Sequence, residues 1–163
     1  ESEYYYLGRK GFEPLFIAIQ KKRLEDVKNM IKGKEKFITD ELAISGIVFE
    51  AEYTTNKPLS YKVLTGLAVA INCGHIEIIK YLLNLDGVDI TRLRADHSRN
   101  TYFHYAYASY LNKSDQTKEN IIKMLKQHRT FKEESLKYKN SKGHTYDYYK
   151  NIGYDLPNDV TRY

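Results

Sequence analysis

The sequence predicts an all-α solenoid of about four stacked helix-turn-helix units, and three observations carry this prediction. A segment at residues 13–31 aligns without a gap with a segment at residues 65–83, so the chain repeats itself. Within the second copy, Leu67 and Ile71 lie one turn apart on the same face of a helix. Gly74 then follows, and glycine readily takes the left-handed conformation that ends a helix.

A second short helix completes each unit. In the second copy its apolar face includes Ile76 and Ile79. Neither helix is long enough to be stable alone in water, so each pair must bury its apolar face against a neighbouring pair. Ala18, Ala70 and Ala106 occupy one column of the alignment, where a methyl group lets the first helices of adjacent units lie close together.

Two further units are incomplete copies. Thr101–Tyr107 begins like the others, and its second half, Asn120–Leu125, returns after a short insertion. A fourth start lies at Asn140–Tyr149, without an apolar second helix after it. The predicted units span residues 8–31, 60–91, 96–128 and 140–153 of a single domain that covers residues 1–163.

The spacing between the units is irregular. Their first helices start at Glu13, Thr65, Thr101 and Thr145, which are 52, 36 and 44 residues apart. The first spacing is the longest of the three, which predicts an insertion at residues 32–59. Within it, we expect Phe37–Ile44 to form an extra helix and Ile47–Phe49 to pack beneath that helix. Smaller insertions are expected near Tyr110–Lys118 and Arg129–Lys139.

The second copy carries a family resemblance. Thr65–Leu83, followed by Gly87-Val-Asp89, resembles the ankyrin repeat, whose pattern runs Thr-Pro-Leu-His-x-Ala-Ala, Gly-His, an apolar helix ending in Leu-Leu, and Gly-Ala-Asp. Thr101–His104 is similar to the Thr-Pro-Leu-His turn of that family. The resemblance implies a protein-binding module without catalytic activity, and structural roles for His75 and His104, with their rings bonded to turn backbone.

The resemblance also implies where a partner protein binds. In ankyrin domains, the hairpin tips between repeats and the exposed ends of the first helices line a concave groove. The matching residues of this chain are Arg9, Lys10, Phe12, Gln20, Lys21, Tyr61, Lys62, Leu64, Asn72, Cys73, His97, Ser98, Asn100, Ser141, Lys142 and His144. The members from the second unit rest on the cleanest alignment.

Sequence motifs of catalysis are absent. The chain has no Gly-rich phosphate loop, no Gly-x-Ser-x-Gly elbow and no His-Glu-x-x-His helix. The histidines and the single cysteine lack the spacing of zinc ligands, so we expect no metal and no cofactor. Cys73 is expected at the partly exposed end of a first helix, and no base supports a nucleophilic role for it.

Composition narrows the class of protein further. No apolar run approaches the length that crosses a bilayer, so we expect a protein without membrane insertion, and a monomer. A single cysteine requires no oxidising compartment, which favours the cytoplasm or the nucleus. The net charge of +5 and basic clusters such as Lys21-Lys22-Arg23 leave a second hypothesis open, the binding of nucleic acid or of an acidic ligand.

Two further hypotheses concern the protein in which this module functions. The sequence begins at Glu1 rather than at Met, so we expect it to be part of a longer protein, in which the module would target a catalytic domain. Heavy use of Tyr, Lys, Ile and Asn is typical of AT-rich genomes. Ankyrin proteins are common among the effectors of intracellular bacteria, viruses and parasites, so a host-directed effector, delivered into a host cell, is an alternative to a scaffold.

Overall fold

Three helix pairs follow one another along the chain. The computed structural model describes residues 13–33, 47–49, 60–63, 66–91, 99–107, 113–150 and 160–161. The pairs are α1 (Glu13–Gln20) with α2 (Leu24–Ile31), α3 (Gly66–Cys73) with α4 (Ile76–Leu83), and α5 (Tyr102–Tyr107) with α6 (Asp115–Lys126). Two 3-10 helices, Glu133–Lys137 and Tyr146–Tyr149, come after them. We call the pairs the first, second and third units, and residues 138–150 the fourth unit.

The first helix of each unit stacks on the first helix of the next. Helix α1 contacts α3, α3 contacts α5, and α5 contacts the 3-10 helix Tyr146–Tyr149. Ala18, Ala70 and Ala106 are all buried in this row of helices. Since a core at native packing density leaves no room for a larger side chain between such helices, the alanine column predicted from the sequence is a packing requirement.

The second helices supply the other half of the core. Val27 of α2 and Ile79 of α4 are equivalent in the alignment, and both are fully buried. The preceding position of the alignment differs between the units. It is a buried isoleucine in α4 (Ile78) and α6 (Ile121), but an exposed aspartate in α2 (Asp26). At this position the first unit is therefore polar where the other two units are apolar.

The turn between the two helices has the same geometry in the first and second units. In the second unit, Gly74 has a φ of +75°, and the N–H of His75 donates to the carbonyl of Ala70 at 3.1 Å. In the first unit, Lys22 has a φ of +62°, and the N–H of Arg23 donates to the equivalent carbonyl at 2.9 Å. Both turns are Schellman caps. Glycine ends α3 as predicted, and a lysine takes the same left-handed conformation after α1.

Three short strands form an antiparallel sheet. They are β1 (Ile47–Phe49), β2 (Ser60–Val63) and β3 (Val160–Thr161), in the order β1–β2–β3. In β2, Tyr61 lies opposite Phe49 on one side and Val160 on the other. The helix pairs agree with the predicted all-α class, whereas the sheet is not part of that prediction. The helix predicted at Phe37–Ile44 falls outside the described residues.

We predict that Ala70→Leu destabilises the protein by about 1–3 kcal/mol, because the added carbons have no space between α1 and α5. Urea denaturation followed by circular dichroism measures this change. Lys123→Leu is the matched control, since Lys123 is exposed on α6 and its replacement should change the free energy of unfolding by about 0.5 kcal/mol or less. Equal midpoints for the Ala70 variant and the unsubstituted chain would contradict the packing role.

Candidate partner-binding site

Two histidines connect neighbouring helix pairs. His75 Nε2 donates to the carbonyl oxygen of Gln20 at 3.0 Å, which joins the second unit to the first. His128 Nε2 donates to the carbonyl oxygen of Leu83 at 2.9 Å, which joins the third unit to the second. A carbonyl oxygen can only accept, so Nε2 carries the proton in both rings. The bond of His75 agrees with its predicted structural role, and the bond of His128 was not predicted.

His104 connects the third unit to the fourth. Its Nδ1 accepts from the backbone N–H of Thr101 at 3.0 Å, and its Nε2 donates to the carbonyl oxygen of His144 at 2.8 Å. The ring is fully buried, and burial is the main reason that its pKa falls to about 4. A neutral His104 therefore fixes the backbone of the fourth unit at neutral pH.

The hairpin tip of the fourth unit is held by the buried side chain of Asn140. Its Oδ1 accepts from the backbone N–H groups of Lys142 at 3.0 Å and His144 at 3.1 Å. Its Nδ2 donates to Oδ1 of Asn100 at 3.0 Å and to the hydroxyl of Tyr149 at 2.9 Å. One amide thus closes the turn and fastens it to the third unit.

The fourth-unit tip, residues 139–144, exposes side chains that the sequence assigned to binding. Ser141 and Lys142 are exposed, and His144 is half-buried. The ring of His144 stacks on Tyr148, with centroids 3.5 Å apart and planes 13° apart, while 39% of Tyr148 stays exposed. A partly exposed aromatic side chain such as Tyr148 is the kind of residue on which protein interfaces concentrate binding energy.

The fourth unit is attached to the third by a second set of contacts. The rings of Tyr107 and Tyr146 stack with centroids 5.5 Å apart. The Tyr107 hydroxyl donates to Glu119 at 3.0 Å, and Lys150 Nζ lies 3.4 Å from the same carboxylate. Burial is the main reason that the pKa of Tyr107 is raised. These contacts hold the exposed tip on a rigid base.

At the opposite end of the stack lies the turn of the first unit. Lys21 is exposed, and Gln20 is half-buried with its carbonyl bonded to His75. We call Lys21, Lys22 and Arg23 the first-unit turn. All three are exposed, and among the residues that the structure describes none of them is in an ion pair.

Three residues that the sequence assigned to partner binding are buried, whereas exposed positions were expected. Asn72 is 5% exposed, Cys73 is 9% exposed and Asn100 is 0% exposed. Asn100 is buried because its side chain accepts from Asn140. The end of the helix that carries Asn72 and Cys73 is covered by the side chain of Lys113, which the sequence analysis did not single out.

Lys113 closes the end of α3. Its Nζ donates to the carbonyl oxygens of Asn72 at 2.8 Å and Tyr105 at 3.2 Å. A Cβ atom at Gly74 would lie 2.9 Å from Cγ and Cδ of this lysine. Burial raises the pKa of Cys73 to about 11, and the nearby ammonium of Lys113 lowers it by less. A thiol that is protonated at neutral pH is a poor nucleophile.

The first helices of the second and third units present no exposed side chain within their described residues. Every residue of α3 and of α5 is buried. Exposed first-helix residues therefore do not line a groove in the second and third units, as far as the described ranges extend. Of the described residues that the sequence assigned to binding, the exposed ones are Lys21, Ser141 and Lys142.

The side chains of the other residues assigned to the groove are outside the described part of the structure. Tyr61 and Lys62 lie in β2, the central strand of the sheet. The residues outside the described ranges are Arg9, Lys10, Phe12, Leu64, His97 and Ser98. These eight assignments remain predictions from the sequence.

Other types of site find no support in the part of the chain that the structure describes. There, His, Cys, Asp and Glu side chains do not form a group of three that could hold a metal ion. No helix within the described ranges is long and apolar enough to span a bilayer.

A comparison with protein families identifies the repeat. The model of the ankyrin repeat matches residues 64–94, which include both helices of the second unit. Residues 64–94 of this chain are therefore similar to an ankyrin repeat. A search of curated proteins found no match to the chain. Ankyrin repeats are in general protein–protein interaction modules and are typically not catalytic, and the Schellman turn at Gly74 with the adjacent His75 belongs to the matched segment.

We predict that the stability of the protein falls as the pH is lowered from about 6.5 towards 4. His104 is neutral in the folded protein because its pKa is about 4, whereas an unfolded chain binds a proton near the ordinary value of 6.5. The contribution is complete above 6.5 and is lost as the pH falls, by up to about 3 kcal/mol. The pKa values of His75 and His128 are also lowered, mainly by burial, so their contributions have the same sign.

Urea denaturation between pH 7 and pH 4.5 measures this effect. His104→Asn is the comparison, because it removes the titrating ring and should flatten the dependence on pH while lowering stability at pH 7. An unchanged slope in that variant would show that other groups cause the loss.

We predict that Asn140→Ala destabilises the protein by about 2–3 kcal/mol. The change removes four hydrogen bonds and leaves the buried Asn100 side chain without this donor. Thermal denaturation measures the loss. Ser141→Ala is the matched control at the next position, where the side chain is exposed and little change is expected. A loss in the control as large as in Asn140→Ala would mean that the turn itself tolerates no substitution.

Proposed function

We propose that this chain is a non-catalytic protein–protein interaction module, an ankyrin solenoid of about four units in a single domain of residues 1–163. On this proposal the first and third helix pairs are degenerate repeats, and residues 138–150 begin a fourth. The partner is a protein, and the chain itself acts as a monomer in the cytoplasm or nucleus. Scaffolds and host-directed effectors both use such a module, and the identity of the partner would distinguish them.

The observation that carries the proposal is the exposed surface of the fourth-unit tip. Lys142 extends from a turn that Asn140 and His104 hold rigidly, so its position is set before a partner arrives. Tyr148 and His144 provide a stacked aromatic surface next to it. Rigid aromatic side chains lose little conformational entropy on binding, which favours them at protein interfaces.

The remaining residues of the proposed surface come from both ends of the stack and from the sequence-based assignment. Gln20 and Lys21 lie at the end of α1, where the family places partner contacts. Arg9, Lys10, Phe12, Tyr61, Lys62, Leu64, His97 and Ser98 stay in the proposal as family-derived positions. A role as targeting module of a larger enzyme would use the same surface.

The test is affinity capture from a nuclease-treated lysate, with the native chain compared with a Lys142→Ala, Tyr148→Ala variant. We expect a captured protein to bind the variant at least about fivefold more weakly, because losses above 1 kcal/mol are typical of central contact residues. The matched control is Lys123→Ala, Lys126→Ala, which removes two exposed cations from α6.

Unfolding must be excluded before the comparison is interpreted. Both variants should unfold within about 1.5 kcal/mol of the native chain, since the loss of the His144–Tyr148 stack is the largest contact removed. Equal capture by the native chain and the tip variant would place the site elsewhere. Capture of nucleic acid rather than protein, in a lysate without nuclease, would favour the alternative function.

A further inference from the structure

The first-unit turn carries three consecutive positive charges, and the carboxylates of Glu25 and Asp26 follow in the first turn of α2. Lys21, Lys22 and Arg23 are consecutive and exposed, and none forms an ion pair within the described part of the chain. Of the carboxylates that follow in α2, Glu25 is paired with Lys28 at 3.8 Å. Three cations within one turn repel one another, and nothing in the fold of this turn requires that repulsion.

The central cation of the turn occupies a strained backbone position. Lys22 has a φ of +62°, and the equivalent residue of the second unit is Gly74, with a φ of +75°. A Cβ atom makes this left-handed conformation unfavourable, and glycine avoids that cost. Strain of this kind persists where the side chain serves a purpose, so the lysine itself requires an explanation.

The equivalent turn of the second unit lacks this positive charge. In the second unit, Lys21, Lys22 and Arg23 are replaced by Cys73, Gly74 and His75. Burial is the main reason that the pKa of His75 is lowered, so that side chain is neutral at pH 7. In the third unit the nearest cation, Lys113, is buried against two carbonyl oxygens.

The three cations of the first-unit turn fit an acidic protein segment better than a nucleic acid. A nucleic-acid backbone carries a phosphate charge every few ångströms and is bound by cations in an extended row. An acidic stretch of a protein presents a few carboxylates within a short length, which matches three cations in one turn. Arginine and lysine at the rim of an interface then set the rate and the specificity of association.

We propose that the first-unit turn binds a short Asp- and Glu-rich segment of the partner protein, and that Lys22 is kept at a strained position because it contacts the carboxylates. This inference names the chemistry of the partner and rests on the proposed function. It makes the first-unit turn a second contact element, at the opposite end of the stack from the fourth-unit tip.

The test separates binding from stability with a single substitution. Lys22→Gly removes the cation and also relieves the backbone strain. We expect this variant to bind more weakly and to be more stable, with the unfolding equilibrium shifted roughly fivefold towards the folded state. A variant that binds weakly because it is damaged would show the opposite change in stability.

Binding is measured by fluorescence anisotropy with a short fluorescein-labelled peptide of alternating Asp and Glu, at low and at physiological salt. We expect the affinity of Lys22→Gly to fall several-fold, that of Lys21→Gln, Arg23→Gln to fall further, and that of the native chain to fall as salt rises. Lys123→Gln is the matched control, because it removes one exposed charge from α6 and should bind like the native chain.

Three results would overturn the inference. They are unchanged peptide binding in Lys22→Gly, an equal loss in Lys123→Gln, and tighter binding of a single-stranded oligonucleotide of the same charge than of the peptide. The proposed function is tested separately through capture by the fourth-unit tip. If capture depends on the fourth-unit tip but substitutions in the first-unit turn leave peptide binding unchanged, the proposed function is retained. The acidic segment proposed for the partner is then rejected.

Discussion

Hydrogen bonds from neutral histidines to backbone carbonyls of adjacent units are the interaction on which the structure depends. None of the short helices can bury its apolar face alone, so the stability of the chain comes from the contacts between units. His75, His128 and His104 each contribute one such bond, and together they connect all four units. The same rings that stabilise the core also hold the ends of helices and the fourth-unit tip, so packing and surface geometry are coupled.

Short-range patterns in the sequence predict most of the helical part of the fold. Leu67 and Ile71 define the buried face of α3, the alanine column marks the stacked helices, and Gly74 ends the first helix. Each is determined by neighbours a few residues away. The hydrogen bond between the Thr101 backbone N–H and His104 Nδ1 also lies within one turn. The Thr-x-x-His motif is therefore enough to predict a structural histidine.

The features that sequence analysis misses depend on contacts between distant residues. Lys113 reaches across to Asn72, 41 positions earlier, and no local pattern marks it as a buried lysine. The contact explains why predicted binding residues at the end of α3 are buried. Tyr148 was missed because it follows the predicted tip. The sequence did contain a signal for an exposed ring. Tyr146–Tyr149 is rich in aromatic residues, but no apolar second helix follows in the sequence to cover all of them.

The pairing of β3 with β2 changes how the chain can come apart. Repeat proteins contain mainly contacts between neighbouring units, so they can lose terminal units one at a time. Here Val160 pairs with Tyr61, which connects the region after the fourth unit to the strand that precedes the second. That closure raises the contact order of an otherwise local topology. Fraying from the C-terminal side must therefore break a long-range backbone pairing first, which makes unfolding more cooperative than in an open stack and folding slower.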